Sequence, residues 1–181
     1  MDSYPVPGDV GEILVTEEAI RTRVTELGAQ IASDCAGSVP LLVGILKGSV
    51  LFTADLMRAI AGPVEIDFMA VSSYGDATQS SGVVRIVKDL DAPIAGRDVI
   101  LVEDIIDSGL TMTYLLEHLS AQGPASIRTC SLLVREGQQA PDVQLDYVGF
   151  EIPPAFVIGY GLDVAQRYRN LPYIAVFTGT P

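Results

Sequence analysis

The chain is poor in the side chains that most often announce chemistry. Of its 181 residues, one is histidine and two are cysteine. No Cys or His cluster offers ligands to zinc. Cys35 falls near an expected helix end and Cys130 inside an apolar strand, so both read as reduced, partly buried thiols. His118, between Glu117 and Leu119, reads as the outer side of a helix. Positive charge is scarce too: 11 Lys and Arg stand against 23 Asp and Glu, a net charge of -12. Such a surface repels nucleic acid and anionic membrane, and neither is expected as a partner. No apolar run reaches the roughly 18 residues that a membrane span needs. The opening MDSYPVPGD has neither a basic region nor an apolar core, so no signal peptide is read there and a cytoplasmic location is expected. Neither G-x-x-x-x-G-K-[ST] nor a strand followed by G-x-G-x-x-G occurs. Internal repeats and low-complexity tracts are missing as well.

What is present is apolar and well ordered. Apolar residues make up 49% of the chain, enough for a sizeable core. The length suits one domain over 1–181, with 1–8 as a disordered lead. Strands expected at 10–14, 39–46, 64–71, 99–102 and 127–134 alternate with helices, 147–150 is short and apolar, Pro153-Pro154 precedes the stretch 156–160, and residues 173–177 follow at the end. The first helix has Thr16 as N-cap, Glu17 and Glu18 in its first turn, and Ile20, Val24, Leu27, Ile31 and Cys35 on one face. A second follows Ser49, and a third carries Met112, Leu115, Leu116 and Leu119. Residues 83–89 alternate as a ribbon, and the aperiodic polar stretch 72–82 reads as a mobile loop. Strands alternating with helices predict an α/β fold, a doubly wound, mostly parallel sheet flanked by helices. Ligands in such sheets bind at the carboxyl ends of the strands.

Residues 99–112, VILVEDIIDSGLTM, organise the rest. The stretch opens as a buried strand and closes as a helix start. Free backbone N–H groups and partial positive charge make a helix start an anion site, phosphate above all. Gly109 lets the backbone approach a ligand, while Ser108 and Thr111 add hydroxyl donors. Glu103 and Asp104 can accept from vicinal hydroxyls or reach a Mg²⁺. Asp107, between the two, is placed to handle a proton. Phosphate, diol and proton transfer together describe a phosphorylated sugar undergoing reaction. Lys47-Gly48-Ser49, directly after another buried strand, reads as a second anion site on the same crevice.

The stretch 99–112 resembles the phosphoribosyl-pyrophosphate loop of the type I phosphoribosyltransferases. Ile105-Ile106 between the acids and Asp107 brings it nearest the hypoxanthine-guanine branch. Outside the first residues and the polar loops, the resemblance covers nearly the whole chain. It implies the family fold with a small hood and a flexible loop. It also implies Mg²⁺-dependent transfer of a phosphoribosyl group from phosphoribosyl pyrophosphate to a 6-oxopurine base, and a homodimer or homotetramer. Glu103 and Asp104 would hold the ribose hydroxyls and place the metal. Asp107 would exchange a proton near purine N7. Ile106, Asp107, Ser108, Gly109, Leu110 and Thr111 would cradle the 5′-phosphate. Leu46-Lys47-Gly48 resembles the family's pyrophosphate loop, where the Leu-Lys bond is often cis, and Lys47, Gly48 and Arg169 would serve the pyrophosphate. Ser73-Tyr74 resembles the family's closing loop.

Residues 131–135, 148–153, 156–163 and 167–171 resemble the purine-binding tail. Arg135, Phe156, Val157 and Asp163 would form the base end, with Asp163 also a metal ligand. Phe156 offers a flat face for a base. Core packing for Phe156, and pairing of Arg167 or Arg169 with Asp163, are the bland readings of the same residues. One position departs from the family: Arg135 stands where a lysine usually donates to the purine 6-oxo group. Arginine can donate there, but its fork is larger and planar. Glu136 could compete for it. Transfer to another base such as xanthine, or a nucleotide-sensing regulator on the same fold, therefore stays open.

Overall fold

A computed structural model of the chain describes residues 8–74, 83–107, 109–137 and 143–179. Twelve elements follow in order among these residues: strand β1 (Val10–Val15), helix α1 (Glu17–Asp34), β2 (Leu41–Leu46), α2 (Val50–Ala59), β3 (Glu65–Tyr74), β4 (Val83–Lys88), β5 (Asp98–Ile106), α3 (Leu110–Ser120), β6 (Ser126–Arg135), β7 (Tyr147–Ile152), β8 (Val157–Ile158) and β9 (Ile174–Phe177).

Six strands form the main sheet in the order β4-β3-β2-β5-β6-β7. All its pairs are parallel except β3 with the edge strand β4. The doubly wound α/β expectation is met. Alternation along the central strands divides the core between the two faces. Leu42, Ile100, Val102, Cys130 and Leu132 pack with Ile20, Val24, Leu27 and Ile31 of α1 and with Phe52 and Leu56 of α2. Leu41, Val43, Val99 and Leu101 pack with Met112, Leu115 and Leu119 of α3. The strands show continuous apolar runs because both faces are covered.

The helices start as their sequences suggest. Thr16 caps α1, its Oγ1 accepting from Ala19 N at 3.2 Å. Glu17 and Glu18 occupy the first turn. Gly109 takes the left-handed conformation before α3, φ 75°, where a side chain would be strained. His118, near the end of α3, faces outward to Asp89, with Nε2 at 2.8 Å from the carboxylate. Cys35 and Cys130 are free and buried.

Two boundaries differ from the sequence reading. Ser72-Ser73-Tyr74, read as the opening of a loop, complete β3, where their backbones pair with Arg85, Val84 and Val83 of β4. The remainder of that expected loop, 75–82, lies outside the described residues, as do the side chains of Ser73 and Tyr74 and most of the expected lead. The central strand also runs on to Ile106, because Ile105 and Ile106 pair with Leu133 and Val134 of β6. The acids therefore stand on the strand itself rather than beyond it.

A second, three-stranded antiparallel sheet, β1-β9-β8, joins the two ends of the described chain. It carries Phe156, Val157 and the 159–171 turns beside the carboxyl ends of the main sheet. Gly159, Tyr160, Gly161, Ala165, Gln166 and Tyr168 in this segment all have positive φ.

Candidate active site

β5 delivers the acids. Alternation sends Glu103 and Asp104 to opposite faces of the sheet. Glu103 lines a small cavity of about 90 Å³ with Ile105, Ile106, Asp107, Gly109, Thr111 and Met112. Asp104 turns the other way, under Gly48. Glu103 is only 8% exposed. Burial first, and the neighbouring Asp104 charge second, push its carboxyl up to about 8. Burial likewise raises Asp104 to about 6, against the pull of two backbone N–H groups and Arg169. Two carboxyls held this far above their ordinary range mark a spot that lacks positive charge.

That spot suits a divalent cation. Mg²⁺ prefers one or two carboxylates plus substrate oxygens to an all-protein cage. Among the described residues no group of three acidic, histidine or cysteine side chains converges as a ready-made cage. Asp163, expected as a further metal ligand, already has partners: Arg169 Nη2 lies 2.7 Å from its Oδ1, and the Gln166 N–H donates to its Oδ2 at 2.8 Å. The bland pairing anticipated for Asp163 is thus present, with Arg169.

Asp107 follows the strand, its side chain 64% exposed. After it comes Ser108, which lies outside the described residues. Gly109 is the N-cap of α3, and among the described residues no side chain caps that helix start. Thr113 N and Oγ1 both donate to Gly109 O, at 2.9 and 3.1 Å, which fixes the first turn. Leu110 is exposed beside it, and Thr111 lines the small cavity. The expected phosphate cradle thus has an uncapped helix start, a left-handed glycine and a hydroxyl in one place.

The second loop reaches the same crevice. The Leu46-Lys47 peptide is cis. Gly48 lies so close to Asp104 that a Cβ would fall inside the Asp104 carboxylate. On the other side Gly161, φ 102°, presses against the Gly48 carbonyl, again leaving no room for a Cβ. Gly161 was not picked out from the sequence as a site residue; the Gly-Tyr-Gly at 159–161 was its only local signal. Ser49 departs from expectation. It is fully buried and its Oγ donates to Ile45 O at 2.7 Å, so it is turned away from any anion. Lys47 instead reaches across to Gln166, Nζ to Oε1 at 3.2 Å, and Arg169 Nη2 meets the same oxygen at 3.2 Å. Gln166 is the second residue that sequence reasoning missed.

The base end is assembled from β6, β8 and β9. Phe156 is 49% exposed and rests against Phe177, ring centroids 5.9 Å apart and tilted by 60°. Phe177 thus supports a ring that remains half exposed. The Val157 side chain is buried and its backbone pairs with Val176. Arg135, at the end of β6, donates through Nη1 to Ala155 O. Its Nε stands 3.7 Å from Asp107 Oδ1. That Nε is buried and has no hydrogen-bond partner. Among the described residues Arg135 pairs with Asp107 and not with Glu136. A larger groove of about 760 Å³ lies elsewhere, between α1, α2 and the 160–172 turns, and none of the residues named for chemistry lines it.

An acid pair in want of a cation, a helix start and two glycine-tight loops are thus gathered at the carboxyl end of β5, and Arg135, between Asp107 and Ala155, ties the half-exposed Phe156 segment to them. Comparison with known proteins shows the family. Residues 11–165 match the family model described as the phosphoribosyl transferase domain. The chain belongs to the phosphoribosyltransferase family. Within it, a hypoxanthine-guanine phosphoribosyltransferase of Bacillus subtilis (strain 168) is 51% identical over 168 residues, covering 93% of this chain and 93% of that one. The crystal structure of a hypoxanthine phosphoribosyltransferase from Staphylococcus aureus superposes with a TM-score of 0.89 at 44% identity, covering 93% of this chain and 92% of that chain. The hypoxanthine phosphoribosyltransferase of Trypanosoma cruzi, in complex with the product IMP, has a TM-score of 0.87 at 41% identity, covering 96% and 97%.

Proposed function

We propose that the chain is a purine salvage enzyme. It transfers the 5-phosphoribosyl group from phosphoribosyl pyrophosphate to N9 of hypoxanthine or guanine, giving IMP or GMP and pyrophosphate. The observation that carries this reading is the meeting of Glu103 and Asp104, Gly48 and Asp107 at the carboxyl end of β5, with the half-exposed Phe156 offered from beside the second sheet.

Each side chain has a task that its surroundings support. Glu103 and Asp104 accept from the ribose hydroxyls and, with the substrate's own oxygens, would hold Mg²⁺. A Mg²⁺ held there would supply the positive charge that the departing pyrophosphate and the two buried carboxyls call for. The N–H groups of Ile106, Asp107, Gly109 and Leu110, with the Thr111 hydroxyl and Ser108, cradle the 5′-phosphate. Lys47, Gly48 and Arg169 take the pyrophosphate, and Asp163 holds Arg169 there. Phe156 stacks on the purine, Val157 borders it with its backbone, and Arg135 donates to its 6-oxo group. Asp107, solvent-exposed and beside Arg135, takes or returns the proton at N7. Ser73 and Tyr74 would serve as the lid over the substrate, keeping water from the ribosyl cation.

The enzyme works in the cytoplasm, as a homodimer or homotetramer, with no nucleic-acid or membrane partner. No helix among the described residues is long and apolar enough to cross a membrane.

Steady-state turnover with phosphoribosyl pyrophosphate and Mg²⁺, offering hypoxanthine, guanine, xanthine and adenine in parallel, tests the assignment. Hypoxanthine or guanine turnover is expected. A second reading, transfer to xanthine, is favoured by Arg135 alone, and turnover of xanthine without the other two would establish it. Nucleotide binding with no turnover of any base would replace the enzyme by a regulator.

A further inference from the structure

The cations of the pyrophosphate corner do not point into open space. Lys47, from the loop after β2, and Arg169, from the 159–171 turns, both donate to one atom, Gln166 Oε1, each at 3.2 Å. An amide oxygen has two lone pairs, and here each meets one cation. The backbone that brings Gln166 there is unusual. Ala165 and Gln166 are consecutive non-glycine residues with positive φ, 48° and 66°. Such a conformation costs free energy and persists only where neighbours hold it. The neighbours are visible: the Gln166 N–H is bound to Asp163 Oδ2 at 2.8 Å, and Val164 and Arg167 bridge each other across the turn. Asp163 in turn grips Arg169 by its other oxygen, and Arg169 Nη1 donates to Gly161 O at 2.6 Å.

We propose that Gln166 is a positioning residue for pyrophosphate, a point that rests on the phosphoribosyltransferase reading. Its amide oxygen occupies the place of a pyrophosphate oxygen when the site is empty. It thereby keeps two flexible cations converged on that point, so less of their freedom remains to be lost when the anion arrives. The neutrality of the amide matters. The amide oxygen offers the two cations no opposite charge, whereas an incoming phosphate oxygen does, so the phosphate displaces it. A glutamate in its place would neutralise the cations and repel the ligand.

The test compares wild type, Gln166→Glu and Gln166→Ala. Calorimetric binding of Mg²⁺-pyrophosphate is measured on each protein, together with KM for phosphoribosyl pyrophosphate, KM for the base, and kcat. Gln166→Glu is expected to weaken pyrophosphate binding about tenfold or more at low salt, and less at high salt. Gln166→Ala is expected to weaken it about two- to fivefold, chiefly by releasing Lys47, since Asp163 and the Gly161 carbonyl still hold Arg169. KM for phosphoribosyl pyrophosphate should rise in parallel, while KM for the base stays put. Unchanged pyrophosphate affinity in both variants, or an equal rise in the two KM values, overturns the proposal. Should Gln166→Glu fail to fold, Gln166→Ala decides alone. The calorimetry also separates two failures. Weakened pyrophosphate binding in a protein that turns over no base would support the positioning role and reject the enzyme. Normal turnover with unmoved affinities would do the reverse.

Discussion

Replacing Glu103 by glutamine should make the ligand-free protein more stable and less active. The carboxyl sits near 8 in the folded chain against an ordinary 4.5, because burial disfavours its charge and Asp104 adds repulsion. A group raised on folding stabilises the protein below its unfolded value, and that contribution disappears as pH climbs through the folded value. Over the window from 4.5 to 8 the folded chain holds one proton more than the unfolded chain, so stability falls by about 1.4 kcal/mol per pH unit. Asp104 has the same sign but completes its change near 6. Between pH 6 and 8, then, Glu103 alone should cost about 2–3 kcal/mol. For a chain of this length that lowers Tm by roughly 5–10 °C. Thermal or urea unfolding of wild type and Glu103→Gln across pH 6 to 8, without metal, measures it, and the difference between the two cancels every other group titrating there. The variant should be flatter with pH and more stable at pH 8, yet poorer in turnover, since its amide can neither hold a cation as tightly nor accept as strongly from a ribose hydroxyl. Equal pH slopes in the two proteins would refute the reasoning. So would a wild type whose stability rises toward pH 8.

Other expectations are simpler. Asp107→Asn should lower kcat by about 10²–10⁴-fold; the exposed side chain leaves unfolding nearly unchanged, and an undiminished kcat would remove Asp107 from the reaction. Gly48→Ala should reduce kcat/KM for phosphoribosyl pyrophosphate by about 10–100-fold, because the methyl displaces the Asp104 carboxylate and the loop carrying Lys47. Initial-rate kinetics read it. Arg135→Met should raise KM for the base about tenfold or more by deleting a charged donor worth roughly 1.5–3 kcal/mol, with KM for phosphoribosyl pyrophosphate little changed. Equal effects on both substrates would separate Arg135 from base recognition.

How much of this was legible in sequence follows the range of the interactions. The apolar run at 99–102, its acids and the following glycine are contiguous, so strand, acid end and helix start could be read as one motif. The Thr16 cap and the face of α1 are local in the same way. Boundaries set by pairing were harder. Ile105 and Ile106 stay in β5 because β6 offers partners, which no local pattern states. Within 156–160 only Val157–Ile158 forms a strand, since Gly159, Tyr160 and Gly161 all turn to positive φ. Ser49 looked like an anion donor until its hydroxyl was found on Ile45 O. Gly161 against Gly48, Gln166 between Lys47 and Arg169, and Arg135 beside Asp107 are contacts between distant segments, and only the folded chain displays them.

The pairing of β1 with β9 has a bearing on the order of folding. Val10 lies opposite Phe177, and Phe177 is the ring that backs Phe156, while β9 is the only strand partner of β8 among the described residues. The ring that would meet a base is thus supported by two segments far apart in sequence, whereas β2, β3, β5 and β6 pair with strands close to them along the chain. Contacts of long sequence separation carry the larger closure cost and form later. In refolding, competence to bind a base should therefore appear after the six-stranded sheet, together with the closing of the small one.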